Sequence, residues 1–317
     1  MLKEDPKLAV LGLDFGATNL KALMVDKNGK KIEEFLEPSK PELGPENTMG
    51  RIVDLIKRAR NRALSVNYQI ISVGMGVCGL VNHSNGELIE SPVLPGWEHV
   101  PVARIVEEAI GIPLYLDNDA NVAILGEWWQ GCGERKAVVA GLTLGTGVGG
   151  GLVINGRIYR GAMGFGGEFG HIQVAEDPPC PCGGHGCLGR VASATATIAR
   201  YLQISGAEAS QINGMQEVGE LAKKGDGPAT EAIAVSANYL AKAVLTLVNF
   251  LNPNVLILTG GMALLGKTLL DPIRETIRTS TFRMVGKNTQ IVCGSLDMYS
   301  GCFGAAWLAL SGAKALP

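Results

Sequence analysis

The chain has no excess of charge of either sign: 28 Lys and Arg stand against 30 Asp and Glu, a net charge of −2 over 317 residues. That balance leaves no electrostatic footprint for nucleic acid or an anionic membrane, so neither is expected as a partner. Cysteine is sparse, with seven residues irregularly spaced, too few for the disulfide framework of a small secreted domain. The opening residues, Met1-Leu2-Lys3-Glu4-Asp5-Pro6-Lys7, carry acids and a proline where a signal peptide needs an apolar run, so a cytoplasmic protein is expected. A membrane span is also unexpected. Ala137 to Ile154 runs eighteen residues without a charge, but six are glycine, which suits strand–loop–strand better than a lipid-exposed helix.

What is present is apolar and glycine-rich. Hydrophobic residues make up 46% of the chain, ample for a sizeable core, and the length suggests two domains. Glycine, at 43 residues, is about twice its usual share and suggests loops in close contact with a ligand. Leu8 to Leu13 reads as a buried strand, followed by Asp14-Phe15-Gly16-Ala17-Thr18-Asn19, a second strand at Leu20 to Val25 and a turn at Lys27–Lys30. Met49 to Ala63 reads as an amphipathic helix, Ile70 to Val77 as a strand, Pro101 to Ile110 as a helix and Pro113 to Leu116 as a strand. A second strand–loop–strand spans Val138 to Ile154. With an offset of 129 residues, Val10, Gly12, Leu13, Gly16 and Leu23 superpose on Val139, Gly141, Leu142, Gly145 and Leu152. This repeat suggests two similarly built α/β lobes. Farther on, Ala229 to Leu251, Leu264 to Thr279 and Gly301 to Leu310 read as helices, and Val255 to Leu258 and Gln290 to Cys293 as strands. The expected division is a small lobe of 1–119 plus 302–317 and a large lobe of 120–301, hinged near Asp119–Asn121 and Ser300.

Several constellations carry chemistry. Asp14, Gly16, Thr18 and Asn19 form a post-strand loop whose glycine admits close approach and whose neighbours offer phosphate donors; Asp14 suits Mg²⁺ through water. Thr143, Gly145, Thr146 and Gly147 form a second such loop, on the backbone-nest logic. Neither ends in Gly-Lys-Ser/Thr, so neither is a P-loop. Gly260 and Gly261 sit between a strand and a helix, where a flat ring or phosphate can approach. Asp117-Asn118-Asp119 ends a short strand, where polar side chains of an open α/β sheet meet a ligand crevice, and where Asp and Asn also cap helices. A carboxylate there can take the proton of an attacking hydroxyl. His171 with Cys180, Cys182 and Cys187 offers one imidazole and three thiolates, a set for structural Zn²⁺. His185 competes as the nitrogen ligand; His171 is preferred because a distant ligand clamps more structure. Cys78, Cys132, Cys293 and Cys302 read as core residues.

Together these motifs resemble the ROK family of bacterial sugar kinases, most closely its ATP-dependent glucokinases. The resemblance runs through LGLDFGATN, GLVNHSNGELIESPVLPGW, LDNDANVAILGE, LTLGTGVGGG, GGEFGHI, CPCGGHGCL and LTGG, in order. It implies an actin-like, hexokinase-like (ribonuclease H-like) two-lobed α/β fold with a structural zinc loop. It implies transfer of phosphate from ATP with Mg²⁺ to the 6-hydroxyl of a hexose in glycolytic carbohydrate metabolism, with glucose the leading substrate. N-acetylglucosamine, N-acetylmannosamine, mannose, fructose and allose are the alternatives, and a non-catalytic sugar sensor the competing class. By resemblance Asp119 is the catalytic base, and Gly79, Asn118, Glu168 and His171 contact the sugar. A homodimer or homotetramer is implied too. In two places the sequence departs from the family. The zinc loop normally continues Cys-Leu-Glu, its glutamate binding the sugar near C1 and C2, whereas this chain has Cys187-Leu188-Gly189; and Val93 stands where Asn is usual.

Overall fold

A computed structural model describes residues 5–315. The chain forms two compact units. The first holds the described residues up to Gly131, Arg160–Gly166 and those from Met298 on; the second holds Cys132–Tyr159 and Gly167–Asp297.

The first unit runs β1 (Lys7–Phe15), β2 (Asn19–Asp26), β3 (Lys31–Pro38), α1 (Gly44–Ser65), β4 (Tyr68–Val77), β5 (Leu80–Asn82), β6 (Glu87–Glu90), α2 (Val102–Ile110), β7 (Leu114–Asn118) and α3 (Asp119–Gln130). Its main sheet has the order β3-β2-β1-β4-β7. β1 pairs antiparallel with β2 and parallel with β4, which pairs parallel with β7. α1 buries Met49, Ile52, Ile56, Ala59 and Ala63, the three-to-four spacing that presents one apolar stripe to the sheet. Each large aliphatic side chain buried this way contributes about 1.5–3 kcal/mol.

The second unit runs β8 (Val138–Leu144), β9 (Val148–Ile154), β10 (Arg157–Ile158), α4 (Leu188–Ala192), α5 (Ala194–Ser205), α6 (Met215–Lys223), α7 (Gly227–Leu251), β11 (Val255–Thr259), α8 (Lys267–Ser280), α9 (Arg283–Asn288) and β12 (Gln290–Cys293). α10 (Ser300–Gly312) belongs to the first unit again. The second sheet has the order β10-β9-β8-β11-β12, with antiparallel β8/β9 and parallel β8/β11 and β11/β12. Strand for strand this is the topology of the first sheet, so the repeat read from glycines and leucines is a repeat of architecture. α7 is long and apolar enough by composition to cross a membrane. Ala232, Ile233, Leu240, Val244 and Leu247 along it are buried in the second unit's core.

Three expectations need correction. The expected boundary at residue 119 falls after Gly131 instead, because α3 packs on α10 so closely that a Cβ on Gly126 would lie 2.0 Å from the Ser300 carbonyl oxygen. The helix expected from Leu264 begins at Lys267; a 3₁₀ turn, Gly261–Leu265, precedes it and Gly266 at φ 59° separates the two. Of the four cysteines read as core, only Cys302 is fully buried; Cys78, Cys132 and Cys293 are half-buried.

Candidate functional site

In the first unit the polar run lies where β7 passes directly into α3. Asn118 is the N-cap of α3, its Oδ1 accepting the N–H groups of Ala120 at 2.9 Å and Asn121 at 3.2 Å. Its Nδ2 donates to the Gly79 carbonyl at 3.1 Å, so two expected sugar-site residues meet. Gly79, at φ 135°, adopts a backbone that disfavours any side chain, and a Cβ there would lie 2.3 Å from the Glu90 carbonyl oxygen. Asp119 occupies the first turn of α3, half-buried, with Oδ1 accepting the Ala120 N–H at 2.9 Å. A carboxylate here is favoured by the helix N-terminus.

Asp117, one residue before this pair, is 3% exposed. Its Oδ1 accepts the Asn118 N–H at 2.8 Å and the Asn121 amide at 3.0 Å, and its Oδ2 accepts Arg160 Nε at 2.7 Å and Nη2 at 2.6 Å. Nothing in the sequence pairs Arg160 with Asp117; the signal lies only in the tertiary contact.

The first glycine loop, expected to bind phosphate, turns between β1 and β2. The Gly16 N–H donates to the Asn19 carbonyl at 3.1 Å, and Ser39, just after β3, closes the loop, its Oγ donating to the Gly16 carbonyl at 2.6 Å. Thr18 is exposed, and Asn19 begins β2. Asp14 pairs with Lys21 on β2 at 2.7 Å. Burial works against the Lys21 charge, but the Asp14 carboxylate outweighs it and raises the ammonium pKa. The segment expected to face the sugar is anchored by the buried Trp97, whose ring lies tilted with its centroid 5.1 Å from that of Phe15, and it leaves Val93 43% exposed.

The second unit joins two features that sequence left apart. Thr143 near the end of β8 pairs with Thr259 at the end of β11, so the loop of Gly145, Thr146 and Gly147 and the turn at Gly260–Gly261 are neighbours. Gly260, at φ 91°, packs against the Leu144 backbone, where a Cβ would lie 2.7 Å from the carbonyl oxygen. The N-terminus of α5 steadies the loop: the Ala194 N–H donates to the Gly145 carbonyl at 2.9 Å and Thr195 Oγ1 to the Thr146 carbonyl at 3.0 Å. Cβ atoms on Gly145 or Gly147 would meet nothing within 4 Å, so the loop's outer side is open.

His171, Cys180, Cys182 and Cys187 converge with ligand atoms all within 4.8 Å of one another. Cys182 and Cys187 sulfurs are 3.7 Å apart, and Cys180 Sγ lies 3.6 Å from His171 Nδ1. A tetrahedral zinc with ordinary bond lengths sets S···S edges of about 3.8 Å and S···N edges of about 3.6 Å, so donor set and spacing fit Zn²⁺. His185 is exposed, with Nδ1 3.9 Å from Asp177, outside the cluster. A Gly184 backbone hydrogen bond, then the Cys180 thiol, lower Cys182 to about 7; burial, then Cys180, push Cys187 up to about 12. His171 Nε2 lies 4.0 Å from Glu168 Oε2, so ring and carboxylate, both expected at the sugar, sit side by side.

The sequence matches the ROK family over residues 10–311. It is 33% identical over 310 residues to a glucokinase of Halalkalibacterium halodurans, covering 94% of each chain. It is 29% identical over 320 residues to a xylose repressor of Caldicellulosiruptor bescii, covering 98% of this chain and 80% of the repressor. Among solved structures, a Streptomyces griseus ROK glucokinase in complex with glucose and AMPPNP superposes with a TM-score of 0.82 at 30% identity, covering 96% of this chain and all of that one.

Proposed function

This chain belongs to the ROK family, and from that membership we propose that it is an ATP-dependent sugar kinase acting on the 6-hydroxyl of a hexose, with glucose the leading substrate. The observation that carries this reading is the β7–α3 junction. There one carboxylate, Asp119, stands at a helix N-terminus beside an amide, Asn118, already tied to Gly79. Asp119 takes the proton of the attacking hydroxyl, and Asn118, Gly79, Glu168 and His171 hold the sugar. The two glycine loops and the Gly260–Gly261 turn hold the nucleotide: Asp14, Gly16, Thr18 and Asn19 on one unit, Thr143, Gly145, Thr146 and Gly147 on the other. Phosphoryl transfer asks mainly for positioning and charge stabilisation, which backbone donors and a fixed base supply. Asp14 would hold Mg²⁺, which would neutralise charge developing on the phosphates.

The four-ligand cluster holds structural Zn²⁺, and by fixing His171 it fixes Glu168 three residues before it. A reducing, ATP-containing cytoplasm suits thiolate ligands. The glucokinase relatives, one solved with glucose and AMPPNP, also support a small-molecule partnership with sugar and ATP. Assembly into a homodimer or homotetramer is part of the same reading.

The test is an ADP-release assay across glucose, N-acetylglucosamine, mannose, N-acetylmannosamine, fructose and allose. Turnover on at least one of them supports the kinase. The repressor relative gives the second reading its footing, a sugar sensor without catalysis. Saturable binding of one of these sugars, with no ADP release on any, would favour it.

A further inference from the structure

The segment Arg160–Gly166 is flanked on both sides by residues of the second unit, yet it belongs to the first. One ion pair with a buried carboxylate ties it there. Arg160, its side chain 24% exposed, places Nε at 2.7 Å and Nη2 at 2.6 Å from a single oxygen, Oδ2 of Asp117, whose side chain is 4% exposed. The other oxygen of Asp117 is committed to the Asn118 N–H and the Asn121 side chain. Asp117 therefore has one oxygen for the strap and one for the turn that begins α3. Asn121 Oδ1 is buried with no partner, so among the described residues Asp117 alone anchors the Asn121 amide.

We propose that Arg160 is a positioning residue: by holding Oδ2 of Asp117 it sets the turn that aims Asn118 and Asp119, and it makes the 160–166 strap part of the sugar-phosphorylating site. This rests on the kinase reading for its kinetic part only. The physical reason is directional. Two charge-assisted hydrogen bonds from the guanidinium hold Oδ2 in place, and with Oδ1 bonded to Asn118 and Asn121 the carboxylate keeps one orientation. The opposite oxygen is thereby aimed at the Asn118 N–H, the peptide group that leads into Asn118 and, one residue on, Asp119. A buried carboxylate stripped of its cation seeks water or a proton and turns away from that geometry.

The experiment uses the full-length protein as wild type, Arg160→Met, Arg160→Lys, Asp117→Asn and the Arg160→Met/Asp117→Asn double variant. Hydrogen exchange read by mass spectrometry on peptides spanning residues 116–124 gives a readout independent of catalysis. Arg160→Met is expected to speed exchange at the start of α3 while peptides of β8 and β9 stay unchanged. Kinetically, kcat should fall by about 10²-fold, the cost of misplacing a reacting group by about an ångström. KM for sugar should rise and KM for ATP should stay within twofold. Arg160→Lys keeps the charge without the fork and should recover part of kcat. Because Arg160 acts through Asp117, the double variant should be no slower than the slower single variant. A merely stabilising role would lower Tm but leave kcat and both KM values of the folded enzyme unchanged. Unchanged exchange over 116–124 in Arg160→Met overturns the proposal. So does full multiplication of the two single losses in the double variant. If the wild type phosphorylates none of the sugars, the kinase reading fails while the exchange result still decides the positioning claim.

Discussion

Asn118 hydrogen-bonds in two directions at once: its Nδ2 donates to the Gly79 carbonyl at 3.1 Å, and its Oδ1 caps α3 through Ala120 and Asn121. One side chain thus joins the loop after β4 to the start of the helix that carries Asp119. The two jobs use different atoms and can be separated. Asn118→Ala removes both, and loss of an N-cap costs about 0.5–2 kcal/mol. Asn118→Asp keeps an oxygen for the cap but sets a carboxylate against the Gly79 carbonyl. We expect urea unfolding to show the stability loss in Asn118→Ala and little in Asn118→Asp, while both raise the KM for sugar. Equal destabilisation by the two substitutions would count against the division.

Asp119 has the cleaner kinetic signature. Removing a general base typically costs about 10²–10⁴ in rate. Asp119→Ala should therefore lose kcat on that scale yet still bind sugar in calorimetry, because Asn118 and Gly79 remain paired. Turnover equal to wild type would remove Asp119 from the role.

The thiol cluster makes a prediction in the absence of metal. Cys182 is exposed and lowered to about 7, whereas Cys187 is 3% exposed and pushed up to about 12. The thiolate is the nucleophile. In chelator-treated protein, iodoacetamide should modify Cys182 first, at a rate climbing as pH passes through about 7, with Cys187 inert. Zinc should protect Cys182. Metal analysis should find Cys182→Ser depleted in zinc, with weaker sugar binding because the loop before Cys187 also carries Glu168 and His171. Undiminished sugar affinity in zinc-depleted protein would separate the metal from the site.

How far this was legible in sequence depended on the range of each interaction. β1, β2, β8 and β9 announce themselves as apolar runs broken by glycine loops, and the repeat between them is the repeat of sheet order. The metal ligands are legible because three of them crowd into eight residues, from Cys180 to Cys187. β3 is harder: at the sheet edge its burial is partial and its charges outnumber its apolar residues. The bond from Thr195 to the Thr146 carbonyl spans 49 residues, and the Arg160–Asp117 pair spans 43. No periodicity or local spacing encodes such partners; only packing brings them together. The boundary after Gly131 was missed for the same reason, since it depends on α3 meeting α10 from the far end of the chain.

Gly189 is one of two positions where the resemblance leads one to expect a polar side chain and the chain has none, and the structure makes the reverse substitution a fair test. It is the second residue of α4, its φ lies outside the left-handed region, and a Cβ there would meet the Gly170 carbonyl oxygen at 3.5 Å and the Val148 nitrogen at 3.6 Å, ordinary contacts. Gly189→Glu should therefore fold without strain, and a carboxylate in a helix's first turn is mildly favourable. The new side chain would start beside Gly170, next to His171. A hydrogen bond to a charged group is worth about 1.5–3 kcal/mol, and about 1.4 kcal/mol is tenfold in affinity. If glucose is the substrate and the carboxylate reaches its hydroxyls, the KM for glucose should fall by roughly ten- to a hundredfold with kcat little changed. A folded Gly189→Glu protein that phosphorylates glucose less well would point the other way: glycine then makes room at C1 or C2 for a larger substituent. In that case wild type should prefer an N-acetylated hexose over glucose in the same assay, and Gly189→Glu should abolish that preference by filling the space.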